Sequence, residues 1–203
     1  MTVSEAPPRI APVQPPYDPV TEMLLAKWMP PGSPVEPLLL FRTLMRHHEL
    51  ASRMLPLGAG ILGHGCVEPR DREILIHRTC ARAGAEYEWG VHAVAFGRPL
   101  GLSDEQIHAT VHGDADDPAW SERDSLLIGL ADELHESCDV SEELWAALAQ
   151  HFSEDQLLEL LVIAGQYRLI SYVLNGVRVQ RESWAERFPS PDVRVPAPHA
   201  PQA

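Results

Sequence analysis

Glu88 and His92 stand four residues apart in the run Glu86-Tyr87-Glu88-Trp89-Gly90-Val91-His92. On a helix that spacing places a carboxylate and an imidazole one turn apart on the same face. A second acid, Glu73, precedes His92 by nineteen residues, in the run Asp71-Arg72-Glu73-Ile74-Leu75-Ile76-His77. Two neighbouring carboxylates push one pKa upward and an adjacent imidazolium pulls one downward, so such a cluster holds a proton donor and a proton acceptor together near neutral pH. The residue types therefore suit proton transfer on a small molecule. In this reading His92 is the main acid or base, Glu88 its partner or a second proton carrier, and Glu73 the group that orients His92.

Two helices must present these side chains. Pro69 suits the first turn of one helix, with Glu68, Asp71 and Glu73 near its positive end, and Gly84 is placed to stop it. A short turn leads into a second helix over residues 87–96, ending near Gly97 and Pro99. So short a connection makes the two helices antiparallel neighbours. Glu73, His77, Cys80 and Gly84 share one stripe of the first helix, and Ala85, Glu88 and His92 share one stripe of the second. Facing stripes bring Glu73 to His92, and Cys80 or His77 to Glu88. Tyr87 and Trp89 are candidate pocket walls, His77 and Cys80 candidate substrate contacts, and Arg168 a candidate cation for a substrate carboxylate.

Proline divides the rest of the chain: ten of the 19 prolines lie at or before Pro37, and five lie from Pro189 onward. Proline lacks the N–H that a helix interior needs, so residues 1–37 are expected as an extended arm, able to lie across a neighbouring subunit, and 189–203 as a disordered tail. Residues 38–188 form the helical domain between them. Within the arm, 18–29 offers a short helix. Apolar residues recur at helical spacing from Leu38 to Met45 and from Leu50 to Leu57, where Pro56 should kink or end the segment before Gly58, Gly60, Gly63 and Gly65 loosen the chain. Ser103 with Gln106 and Ser153 with Gln156 form capping boxes, and Ser121 and Ser141 are further N-caps. The last helix, about 154–179, is apolar around most of its circumference and is expected at the centre or in an oligomer interface. With no alternating period-two segment, the fold class is all-α.

A chain of 203 residues with 45% hydrophobic and 22% charged residues is that of an ordinary soluble domain. Its net charge of −13 repels phosphate backbones and anionic membrane surfaces, so neither nucleic acid nor membrane is an expected partner. The N-terminus has neither the basic region nor the apolar run of a secretory signal. Three scattered cysteines, Cys66, Cys80 and Cys138, suit buried thiols in a reducing cytoplasm. His47-His48, His64 with Cys66, and Glu133 with His135 lack the paired spacing of a zinc site, so no metal is assigned. The glycines of 58–65 lack the strand and the Lys-Ser/Thr of a phosphate loop.

The order Glu73, then Glu88-Trp89-Gly90-Val91-His92, resembles the motif of the non-redox branch of the carboxymuconolactone decarboxylase and alkylhydroperoxidase-like (AhpD-like) family. That branch carries a Glu nineteen residues before a His, and its decarboxylases a Glu-x-x-x-His. Redox members instead place a Cys-x-x-Cys pair where this chain has Ala85 and Glu88. The likeness spans roughly 38–113 and, more loosely, the helices to about 179. It implies an AhpD-like helical bundle built on an antiparallel hairpin, and a homo-oligomer, trimeric or hexameric. It also implies a lyase or isomerase acting on a small carboxylate or lactone without metal or organic cofactor, because the lactone and its conjugated double bond take the electrons. Two alternatives are a peroxide reductase using Cys80, and an oligomeric binding protein that keeps the fold without turnover. The N-terminal arm and long last helix go beyond the minimal decarboxylase, so the substrate need not carry over.

Overall fold

The computed structural model describes residues 6–29, 33 and 36–191, and all its regular elements are helical: α1 (Pro19–Trp28), α2 (Leu39–Leu44), α3 (His48–His64), α4 (Pro69–Arg82), α5 (Glu86–His92), α6 (Asp104–His112), α7 (Glu122–Ser137), α8 (Glu142–Leu148) and α9 (Glu154–Val177). A 3₁₀ turn, Met45–His47, joins α2 to α3, and a π-helical turn, Ala93–Gly97, continues α5.

The organising element is α4. Its ten residues Asp71–Cys80 are all buried, and it packs on α5, α6, α7 and α9. Pro69 opens it where no helical N–H is needed. Gly84, at a left-handed φ of 64°, closes it and lets the Ala85 N–H donate back to the Cys80 carbonyl at 2.9 Å. The polar residues of α4 are buried because α7 answers them. Arg70 meets Asp124 at 2.6 Å, Arg78 meets Asp132 at 2.7 Å and Arg82 meets Glu136 at 2.7 Å. Each pair is 54 residues apart, so α4 and α7 run parallel. Arg78 also donates to the carbonyls of Thr110 and Gly113 and so ties in α6. After Gly84 the chain turns directly into α5, giving the antiparallel hairpin.

Capping follows the sequence reading. The Ser103 and Ser121 hydroxyls accept from the third N–H of α6 and α7, Ser141 caps α8, and Gln156 accepts the Ser153 N–H at the start of α9. Two expectations need correction. The helix containing Pro56 does not end there: α3 runs on through Gly58, Gly60 and Gly63 to His64. Its far end is held from outside, where the buried Arg72 guanidinium donates to the Ile61 and Leu62 carbonyls at 3.3 Å each. The last helix, expected at the centre or in an oligomer interface, is half-buried. α9 buries one side and exposes Leu158, Val162, Leu169 and Tyr172, and by length and composition it alone among the described helices could cross a membrane. Its inner side instead supplies Leu160, Ile163 and Ala164 to the core around α4.

The N-terminal segment is no free arm. It is extended before α1, but it lies on its own chain: Arg9 donates to the Val177 carbonyl, Val13 to Arg42, and Arg46 to Ala11. Asp18 caps α1, and Leu24 and Leu25 join Leu40, Tyr87, Val91 and Ile170 in a second apolar cluster. Burying each such leucine contributes about 1.5–3 kcal/mol, enough to hold a proline-rich segment down. Past α9 the chain folds back over α5. Glu182 accepts from the Leu39 N–H and the Tyr87 hydroxyl, and the Phe188 ring lies 5.3 Å from Trp89. Of the expected tail, Pro189 accepts a hydrogen bond from His112 at 2.7 Å, and 192–203 lie outside the described residues, as do 1–5, 30–32 and 34–35 of the arm.

Candidate functional site

The hairpin brings Glu73, Glu88 and His92 together. From α5, His92 donates its Nδ1–H to Glu73 Oε2 of α4 at 2.7 Å, with both side chains buried. On the other edge of the ring, Nε2 lies 3.6 Å from Glu88 Oε1. That is longer than a hydrogen bond and leaves the Nε2–H free to meet a ligand. The π-helical turn then brings Phe96 over the ring, with centroids 4.9 Å apart, while Tyr167 from α9 stands edge-on to it, also at 4.9 Å. A π turn at such a position is common beside functional residues. At Gly97, the end of this turn, a Cβ would fall 3.0 Å from the His77 ring, so glycine lets the two pack.

Burial and charge oppose each other here. Burial disfavours the charged imidazole of His92, yet the Glu73 carboxylate, with Glu88 beside it, overcomes this and lifts its pKa to about 9. Burial would likewise raise Glu73, but the His92 charge and the Arg72 guanidinium at 3.4 Å hold its carboxyl below the usual value. His77, one turn on from Glu73, goes the other way. Burial and then the positive charge of His92 push it down to about 4, against the attraction of Glu73. It donates its Nδ1–H to the Glu73 carbonyl at 2.6 Å, which leaves Nε2 unprotonated and without a partner. At neutral pH the site therefore pairs an imidazolium at His92 with a carboxylate at Glu73, next to a neutral His77.

Glu88 and His92 open onto a cavity of about 440 Å³ bounded by α1, α2, α3, α5 and α9 and by Trp184 of the C-terminal segment. Its walls are largely apolar, among them Leu40, Leu55, Ile61, Phe96 and Ile170. Besides Glu88 and His92, the charged residue in the lining is Lys27. Glu73 is not in the lining; it stands behind His92. Among the described residues no three His, Cys, Asp or Glu side chains converge as metal ligands would.

The five residues expected to contact substrate do not line this cavity. Tyr87 and Trp89 flank Glu88 in sequence, so they leave α5 roughly 100° to either side of it. Tyr87 enters the second cluster and bonds Glu182 and the Leu40 N–H, while Trp89 enters the main core and donates to Thr110 at 2.9 Å. His77 is fully buried behind His92. Cys80 is fully buried beside Ser171, and burial, reinforced by the Glu88 charge, pushes its thiol pKa well up. Arg168 projects to another side of α9, where it bonds His135 and Tyr172. Of the residues not anticipated, Phe96 carried a legible signal, four positions after His92 on the Glu88–His92 stripe. Tyr167 was missed by one position in favour of Arg168. Lys27 and Trp28 gave no local signal, because they reach the site from a segment remote in sequence.

This arrangement, an all-α bundle whose central hairpin sets a Glu–His pair into an apolar cavity, is the AhpD-like fold. A structure from Agrobacterium tumefaciens, of a protein of unknown function provisionally described as an AhpD antioxidant-defence protein, superposes with a TM-score of 0.63 at 20% identity, covering 68% of this chain and 94% of that one. The debrominase Bmp8 superposes with a TM-score of 0.69 at 15% identity as a Cys-to-Ala variant in complex with 2,3,4-tribromopyrrole, and with 0.65 at 14% identity as the apo protein; each match covers 86% of this chain and 92% of the other. No family profile matches the sequence, and no curated protein matches it.

Proposed function

We propose that this chain is an enzyme of acid–base type, a lyase or isomerase resembling carboxymuconolactone decarboxylase, that acts on a small carbonyl- or lactone-bearing molecule without a metal or organic cofactor. The observation that carries this reading is the clamping of His92 between Glu73 and Glu88 at the wall of an apolar cavity. Glu73 fixes the ring and keeps it protonated, so the Nε2–H is a proton donor aimed at the ligand space. In a decarboxylation the bond to the departing CO₂ breaks, its electron pair moves into the conjugated carbonyl, and the His92 proton goes to the carbon. Glu88 then serves to return a proton to His92 or, in an isomerisation, to remove one from the substrate.

Lys27, in place of Arg168, is the cation suited to a substrate carboxylate at this cavity. That a similar fold holds a tribromopyrrole supports a small ring compound as occupant. Peroxide reduction through Cys80 is disfavoured, because the nucleophile there is the thiolate and this thiol is buried with its pKa raised. An open cavity in place of packed side chains favours turnover over a purely structural relic. The free thiols fit a reducing compartment such as the cytoplasm.

The test is turnover of carboxymuconolactone and related unsaturated lactone acids, followed by CO₂ release and loss of absorbance, by wild type, His92→Ala and Glu88→Gln. Loss of a positioned acid–base group should lower kcat about 10²–10⁴-fold. Wild-type kcat in His92→Ala, or peroxide turnover abolished by Cys80→Ser, would overturn the assignment.

A further inference from the structure

Arg168 belongs to a second cavity, of about 370 Å³, between α4, α7 and α9. It shares no lining residue with the Glu88–His92 cavity. Arg168 makes no ion pair with a carboxylate among the described residues. Its Nε–H donates to the Tyr172 hydroxyl at 3.1 Å, one Nη donates to His135 Nδ1, and the guanidinium lies 5.3 Å from the centre of the Tyr172 ring. Because His135 accepts at Nδ1, it is neutral with its proton on Nε2, which agrees with burial and Arg168 together lowering its pKa. The nearby acids are already engaged, Asp132 by Arg78 and Arg82, and Glu136 by Arg82. Arg168 thus retains positive charge and unused N–H donors at a cavity with no carboxylate in its lining.

The opposite wall carries an independent sign of a ligand. Thr79 is 6% exposed, and its hydroxyl is buried without a hydrogen-bond partner. Inside a helix such a hydroxyl ordinarily bonds the carbonyl four residues back, as Thr43 does to Leu39 and Ser171 does to Tyr167, both at 2.7 Å. Leaving a buried hydroxyl unpaired destabilises the fold. Between Thr79 and Arg168 the walls are hydrocarbon, from Leu134, Leu161 and Ala164. A cation, an unsatisfied hydroxyl and apolar walls sharing one cavity describe a receptor for an amphipathic anion.

We infer that this cavity is a second binding site, separate from the acid–base site, for a small monocarboxylate with a short apolar body, Arg168 holding the carboxylate and Thr79 a second polar atom. Benzoate has that form, and benzamide is its neutral counterpart. The full chain with ¹³C-labelled alanine methyls reports on both cavities, since Ala131 and Ala164 line this one and Ala59 and Ala95 line the other. Benzoate should shift Ala131 and Ala164 saturably, and benzamide should do so more weakly. Arg168→Met should weaken benzoate by about tenfold or more, since a charge-assisted contact to a carboxylate is lost. Thr79→Val, nearly isosteric, should weaken it less, and His92→Ala should leave it unchanged. The assignment is overturned if only Ala59 and Ala95 respond, if benzoate fails to saturate Ala131 and Ala164, or if Arg168→Met binds it as wild type does.

Discussion

His77 and His92 face the same carboxylate and are shifted in opposite directions, so stability should peak between their two titrations. Below about pH 6.5 both the folded and the unfolded chain protonate His92, and its full contribution is present. Between 6.5 and about 9 only the folded chain keeps the proton, so stability falls as pH rises through that window. Each pH unit is worth about 1.4 kcal/mol there, and the whole window about 3 kcal/mol. For His77 the sign reverses. Above 6.5 it is neutral in both states, and below 6.5 the unfolded chain takes up a proton that the folded chain refuses down to about 4, so stability falls as pH falls, again by about 3 kcal/mol. Glu73 adds to the acid limb, because its lowered carboxyl stabilises the fold above its ordinary value and that contribution is lost as pH falls through the folded one. Urea unfolding followed by tryptophan fluorescence across this range should therefore give a maximum near pH 6.5. Self-repulsion of a chain with net charge −13 also grows at high pH, so the diagnostic is a difference between variants. Glu73→Gln removes the anion that keeps His92 protonated, and His92→Gln removes the titration itself; both should flatten the alkaline limb, while the acid limb that burial of His77 sets persists, shallower in Glu73→Gln by the carboxyl's own contribution and in His92→Gln by the lost imidazolium. A wild-type curve level from pH 6.5 to 9, or an alkaline slope retained in both variants, refutes the ion pair.

Three further outcomes follow from other parts of the fold. A Cβ on Gly90 would fall 2.1 Å from the Glu186 carbonyl oxygen, so Gly90→Ala must push the C-terminal segment off α5; the expected loss is about 1–3 kcal/mol, seen as a fall in Tm of about 2–4 °C per kcal/mol, and an unchanged Tm would mean that the segment is not seated there. Towards a disulfide reagent near neutral pH, the exposed Cys138 should react first. Cys66 should lag because its hydrogen bond to Glu159 lifts its pKa to about 11, and Cys80 should react only on unfolding; fast modification of Cys80 in the folded chain would contradict its burial. On α9 the exposed Leu158, Val162, Leu169 and Tyr172 lie at the spacing of a helix seam, so if the chain self-associates this stripe is the surface expected to be covered. Light scattering should report an oligomer for the wild type and a smaller species for Leu158→Glu with Leu169→Glu, and a monomeric wild type would remove that expectation.

The hairpin was legible because its signals are local. Pro69 and Gly84 bound α4, and four-residue spacing sets the Glu88–His92 stripe. The nineteen-residue interval of Glu73 and His92 needs only that the two helices lie antiparallel, which the short turn enforces. The sequence of α4 carries Arg70, Arg78 and Arg82, and nothing near them shows Asp124, Asp132 and Glu136, the partners that α7 supplies 54 residues away. α9 reads as a helix for the centre or for an oligomer interface, and periodicity alone does not say that only part of its apolar circumference enters the core. The same blindness to distant partners explains α3, whose passage through Pro56 rests partly on Arg72 satisfying its last carbonyls.

On the proposed function, chemistry and selectivity sit on different parts of this chain. Glu73, Glu88 and His92 lie within twenty residues on one hairpin, and their geometry depends on α4 packing and the turn at Gly84. The space above them is lined by Lys27 and Trp28 from α1, by α3 and by Trp184, residues well removed from His92 in sequence on both sides. Substitutions in those outer walls reshape the cavity without touching the Glu73–His92 pair, so under that proposal they should change which molecule is bound while leaving proton transfer intact. A Trp184→Ala enzyme that altered KM across a substrate panel, with the pH dependence set by His92 preserved, would have the signature of that division.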